Sequence, residues 1–217
     1  MPDTATAILI RKMEPGDREA VRQICWETGY GGDSIAPYFD DPALFADFFC
    51  SYYTDIAPGA SFVAEDDGSV IGYLFGCPDT RRYSRVFYCK IIPALLGRAL
   101  LGRYRIGRKT RRYIRQVIGS FFRGAYKTPP LDLYPAHLHI NIAAGYRRAG
   151  LGHRLMKAYF AHLRAGGIRG LHLGTSSLHR SAQPFYRKLG FEVYSETKTN
   201  LEGKPNAALV WVKRLDQ

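Results

Sequence analysis

The 217 residues hold 31 Lys or Arg against 19 Asp or Glu, a net charge of +12 that asks for an anionic partner and a length that suits one domain of ordinary size. No run of roughly 18 or more apolar residues occurs and no basic N-terminal segment leads into an apolar one, so neither a spanning helix nor a signal peptide is expected, and the location expected is cytoplasmic. Cys25, Cys50, Cys77 and Cys89 form no Cys-x-x-Cys pair and have no histidine at metal-ligand spacing, which predicts buried thiols and no metal.

Residues 7 to 11 read as a short strand. Glu14-Pro15-Gly16-Asp17 then turns, with Asp17 as candidate N-cap for a helix through Thr28 whose Ala20, Val21, Ile24 and Cys25 share a face. The chain loops through Thr28-Gly29-Tyr30-Gly31-Gly32-Asp33, and Asp40-Asp41-Pro42 restarts a helix carrying Leu44, Phe45, Phe48 and Phe49. Residues 61 to 76 form a hairpin turning at Asp66-Asp67-Gly68.

Residues 81 to 128 differ in composition from everything around them. They contain fourteen Lys or Arg and no Asp or Glu, so this stretch carries the excess charge and the remainder is close to neutral. Ile91, Ile92, Leu95, Leu96 and Ala99 make one apolar stripe, and Tyr113, Ile114, Val117, Ile118, Phe121 and Phe122 make another, each at helical spacing. The segment reads as a basic helical insertion within a single domain spanning 1–217. Its helices either pack over the sheet with solvated arginines, or dock on an anionic membrane or nucleic acid, or form a basic lip that selects an acidic acyl acceptor.

Residues 134 to 153 then run from an alternating strand through Gly145 into a glycine-bearing turn and a helix with apolar residues at Leu151, Leu155, Met156, Tyr159, Phe160 and Leu163. The first turn of such a helix exposes unpaired N–H groups, and glycines let a phosphate reach the backbone. Alternation puts Leu138, Ile140 and Ile142 on one face of the strand and His137, His139 and Asn141 on the other. A further strand spans residues 170 to 175, a helix 179 to 189, and strands 191 to 195 and 206 to 212 close the chain.

The order Arg147-x-x-Gly150-x-Gly152 resembles the acyl-CoA pyrophosphate loop of the GNAT superfamily of N-acetyltransferases, and the run from Ala182 to Phe191, with Tyr186-Arg187-Lys188-Leu189-Gly190-Phe191, is similar to that family's second signature. Short motifs at Ile24-Cys25, Thr28-Gly29, Asp41-Pro42, Phe62-Val63, Gly72-Tyr73, Asp79-Thr80 and Tyr134 to Ile140 are similar in particular to the acetyltransferase-like domain of animal O-GlcNAcases and its free-standing bacterial relatives. The resemblance implies an α/β fold with a mixed, mostly antiparallel sheet of about seven strands, splayed between strands 4 and 5, with helices on both faces. It also implies acetyl-CoA as co-substrate and a small-molecule or protein amine as acceptor. In similar proteins a seventh strand often joins a partner, so a homodimer is open.

The same resemblance distributes roles. Main-chain groups around Ile140, Asn141 and Ile142 would bind the pantetheine arm and the acetyl carbonyl. Arg147, Arg148, Gly150, Leu151, Gly152 and His153 would hold the pyrophosphate, chiefly through N–H groups. Tyr186 takes the place of the general acid for the departing thiolate, with core packing as its competing role. His179 stands where many members carry a pantetheine-binding asparagine. His139 is the better placed of the strand histidines to abstract a proton, against a purely structural role. Asn141 occupies a position where O-GlcNAcase-type relatives tend to have aspartate, and an amide cannot take a proton. The expected activity is therefore N-acetyl transfer by direct amine attack. The alternative is a non-catalytic module that docks through its basic insertion.

Overall fold

The computed structural model describes residues 8–147, 149–179, 181–201 and 204–216. In chain order the elements are β1 (Leu9–Lys12), α1 (Arg18–Thr28), α2 (Pro42–Ser51), β2 (Phe62–Asp66), β3 (Ser69–Cys77), α3 (Thr80–Val86), α4 (Ile92–Leu100) and α5 (Arg108–Phe122). They continue as β4 (Ala136–Ile142), α6 (Leu151–Ala165), β5 (Gly170–Ser176), α7 (Ala182–Lys188), β6 (Glu192–Leu201) and β7 (Lys204–Arg214). The strands form one sheet in the order β1-β2-β3-β4-β5-β7-β6. Every neighbouring pair is antiparallel except β4 and β5, which are parallel.

Alternation along the central strands divides the core into two. Phe62, Ala64, Leu74 and Leu138 face α6 and join Leu155, Met156 and Tyr159, while Val63, Tyr73 and Phe75 face the other way and join Val21, Ile24, Phe45 and Tyr53 from α1, α2 and the turn after α2. Both faces of β3 are covered, which is why residues 71 to 77 are buried without a polar interruption.

Several expectations shift in detail. Asp17 does not cap α1. It closes a preceding 3-10 turn, where its carboxylate accepts from the Glu14 N–H (2.8 Å) and pairs with Arg11, so the helix entry is tied to β1 rather than capped locally. Asp41 does cap α2, accepting from the Leu44 N–H at 2.8 Å. Cys25, Cys50 and Cys77 are buried, but Cys89 is exposed, because it lies in a π-helical turn joining α3 to α4 whose Tyr88, Cys89 and Lys90 all face solvent. Strands β6 and β7 are longer than read, pairing along Glu192 to Leu201.

The basic segment is fastened to the start and middle of α2 by three aspartates. Asp40 exchanges hydrogen bonds with Thr110 at 2.9 Å each way and so caps α5 from another element; Asp41 accepts from the Arg105 N–H. Asp47, itself buried, takes Arg22, Arg98 and Tyr104 at 2.6 to 2.7 Å. Its pairings outweigh the cost of burial and hold its pKa below the ordinary carboxylate value.

Candidate active site

Strands β4 and β5 pair only at Ala136 with Leu171 and His137 with His172, then part. Beyond that point β5 stays bonded to β7 and β4 to β3, so the gap has a bonded strand on each side. The Ala143 N–H donates to Ile71 O at 2.9 Å, which turns the main-chain groups of alternate residues Asn141 and His139 toward β3 and leaves those of Ile140 and Ile142 facing the gap. Asn141 therefore turns its main chain away from the gap, and its side chain also engages β3, its Nδ2 donating to Tyr73 Oη at 2.8 Å.

The β4–α6 turn opens at the far end of this gap. Gly150 precedes α6 with φ +75°, a left-handed conformation that a Cβ would strain, and nothing lies within 4 Å of where that Cβ would be. Gly152 serves packing as well as access: a Cβ there would stand 3.1 Å from the ring of Phe185 on α7, so α6 and α7 approach closely only because this position is bare. Leu151 puts its side chain in the core, leaving its N–H for the turn, and His153 is exposed with its ring edge against Phe185. No acidic residue occupies the first turn of α6, and the N–H groups of Leu151, Gly152 and His153 together with the helix dipole make it a cradle for an anion.

Arg147 does something other than extend freely into solvent. Its guanidinium donates to Ile142 O at 3.1 Å and to Gly32 O, tying the end of β4 to the loop between α1 and α2. Gly31 in that loop also lies against His179, where a Cβ would meet the ring at 3.7 Å. The Tyr30 to Asp33 loop thus touches both turns that border the gap. Arg148 lies outside the described residues.

On the other face, Tyr53 and Phe75 stack in parallel at 4.9 Å and floor a cluster of imidazoles. His137 is buried and fully engaged, with Tyr53 Oη on Nε2 (2.8 Å) and Thr80 Oγ1 on Nδ1 (2.7 Å). His139 stands edge-on to the Tyr53 ring at 5.8 Å and opens to solvent. Desolvation over this floor, with nearby His172 second, holds its pKa below the ordinary imidazole value, so it is neutral near pH 7. Tyr126 caps the same side, its ring against the bare position of Gly174 on β5. Tyr186 is buried on α7 among Phe185, Phe191 and Trp211, and burial raises its pKa, keeping the phenol protonated.

His139 and the main-chain groups of Ile140 and Ile142 thus border the parted strands together with the α6 turn, whereas His137, on the same strand face as His139, is closed off by Tyr53 and Thr80. The Tyr53–His137–Thr80 chain, the loop closing on Arg147 and His179, and the Tyr126 cap were not legible, since each joins segments far apart in sequence and none has a local pattern.

The buried imidazole of His137 predicts a pH dependence of stability. Its folded pKa is depressed well below 6.5 by desolvation first and by His139 and His172 next. Above about 6.5 both folded and unfolded states are neutral there; below it only the unfolded state takes the proton, so stability is full above that value and falls as pH falls. One such group contributes a slope of up to about 1.4 kcal/mol per pH unit. Urea unfolding of His137→Gln between about pH 6.5 and 5 should show a shallower fall than wild type. An unchanged slope would remove His137 from the account.

Against this geometry, a model for the Acetyltransferase (GNAT) family matches residues 18–191. The chain is similar to the crystal structure of SsHAT, with 27% identity, TM-score 0.72, and coverage of 97% of this chain and 99% of that one. Fold similarity extends to yncA from Salmonella typhimurium, determined with its cofactor acetyl-CoA (14% identity, TM-score 0.58, covering 98% and 96%). It extends also to a GNAT superfamily phosphinothricin acetyltransferase from Sinorhizobium meliloti in complex with acetyl-CoA (17% identity, TM-score 0.60, covering 96% and 89%).

Proposed function

The chain belongs to the GNAT acetyltransferase family, and from that premise we propose that it transfers an acetyl group from acetyl-CoA to an amine by direct attack on the thioester. The observation that carries the proposal is the parted β4–β5 pair. The main-chain groups of Ile140 and the N–H of Ile142, none of them paired to β5, lie between an anion cradle at α6 and the neutral His139 on the opposite face.

The pyrophosphate sits on the first-turn N–H groups of α6, at Leu151, Gly152 and His153. The Ile142 N–H, with its carbonyl already occupied by Arg147, donates to the acetyl oxygen as negative charge builds on it. His139, directly or through water, accepts the proton that the attacking amine loses as the C–N bond forms. Asn141 orients Tyr73 and takes no proton. Tyr186 donates its phenolic proton to the sulfur as the C–S bond breaks and is reprotonated from solvent. The Tyr30 to Asp33 loop and Tyr126 border the acceptor entrance, which suits an amine arriving from the face opposite α6.

A thermal-shift titration with acetyl-CoA, with desulfo-CoA and ATP as controls, followed by amine-dependent release of free thiol, tests this. Ligand at about 100 times its dissociation constant adds about 2.7 kcal/mol, which for a chain of this size is a rise on the order of 5–10 °C. The expected result is a saturable shift together with thiol release that depends on an amine. A shift with no release across a broad amine panel would make the chain a non-catalytic binding module, and no shift would overturn the reading.

A further inference from the structure

The sequence pattern of α5 leaves open which side of the helix meets the rest of the molecule, and the answer is the reverse of a soluble surface helix. Ile114, Val117, Ile118, Phe121 and Phe122 fall in one sector at about 3.6 residues per turn, and that sector faces solvent. Phe121 is 67% exposed and Phe122 83%. The side turned toward the protein carries Tyr113, whose ring meets Phe39 edge-on at 5.7 Å, and beyond it only the polar and small Gln116, Gly119 and Ser120. Just before the loop leading to α5, Leu100 is 89% exposed and Leu101 73%. Arg108, Arg111 and Arg115 flank the apolar sector of α5 and are exposed.

We propose that α5, with Leu100 and Leu101, docks the protein on the surface of a bilayer containing anionic lipid. The inference stands apart from the transferase reading. It rests on two properties of one helix that only such an interface satisfies together. Contiguous exposed aromatic and branched side chains are costly in water and mark an interaction surface. A basic flank without a single acidic residue from Thr80 to Leu131 matches a negative surface potential. In an interfacial helix the apolar sector enters the acyl boundary while arginines reach the headgroups from its side. Nucleic acid would satisfy the charge but not the Ile–Val–Phe stripe, because its recognition relies on stacking between cations rather than on aliphatic contact. A second copy would bring the same uncompensated charge to the contact. No helix among the described residues is long and apolar enough to cross a membrane, so the helix lies along the surface.

The test is co-sedimentation of the full chain with phosphatidylcholine vesicles, with and without phosphatidylserine, across a salt series. Binding is expected only to the anionic vesicles, falling by about tenfold or more from low to high salt. Phe121→Ser/Phe122→Ser, at unchanged charge and at exposed positions, should lower the partition coefficient at least about tenfold, as should Arg108→Gln/Arg111→Gln/Arg115→Gln. The proposal is overturned if wild type ignores anionic vesicles, if the phenylalanine variant binds them as tightly, or if the protein prefers RNA with an affinity indifferent to Phe121 and Phe122. A concentration-dependent dimer abolished by the same phenylalanine variant would overturn it in favour of self-association.

Discussion

Tyr186→Phe is expected to lower kcat by about a hundredfold while acetyl-CoA binding stays nearly unchanged. The substitution keeps the ring that packs against Phe185, Phe191 and Trp211, so the core should tolerate it. What it removes is the phenolic proton. Burial raises the pKa of Tyr186, and the same dry surroundings disfavour a thiolate, so transfer is governed by the difference between the two groups rather than by either value alone. A leaving thiol near 8.5 and a phenol near 10 start close enough for a positioned donor to help. Stopped-flow measurement of thiol release at saturating amine separates the chemical step from binding. Turnover equal to wild type would return Tyr186 to a packing role.

Gly150→Asp should weaken acetyl-CoA binding by about a hundredfold or more, with little change in thermal stability. At φ +75° any side chain is strained, but aspartate tolerates this region better than most, and a carboxylate before α6 interacts well with the helix dipole. No neighbour within 4 Å obstructs it. The two small effects oppose each other in the free protein. In the complex the carboxylate would compete for the very N–H groups that meet the pyrophosphate and repel its charge, and loss of two charge-assisted hydrogen bonds amounts to about 3 kcal/mol. Gly150→Asn, with the same backbone strain and no charge, is the control and should bind far better than the aspartate variant. Calorimetric affinities that are alike for wild type and Gly150→Asp would move the phosphate away from α6.

Much of the architecture was legible because it is governed over short distances. The change from period 2 to period 3.6 between Ile142 and Leu151 marks β4, the turn and α6 without reference to any other part of the chain. Asp41-Pro42 announces α2 through a cap and a fixed φ, and both hold. The Asp17 cap failed for the opposite reason. A carboxylate at a helix start is an ordinary local signal, but Arg11 and the Glu14 N–H claimed it. Likewise His137 and His139 are indistinguishable by alternation, yet one is enclosed by Tyr53 and Thr80 and the other opens to the cleft.

By itself, then, the sequence determined the strands and helices around the parted pair, the glycine-bearing turn before α6 and the amphipathic character of α5, because backbone sterics, capping and hydrophobic period act within a few residues. Only the tertiary structure decided that Arg147 closes on Gly32, that Tyr126 caps Gly174, and that α5, held at its N-terminus by Asp40, packs Tyr113 on Phe39 and turns the rest of its apolar stripe outward. Those outcomes depend on which distant groups reach a given side chain first, and a periodic pattern carries no information about the partner it will face.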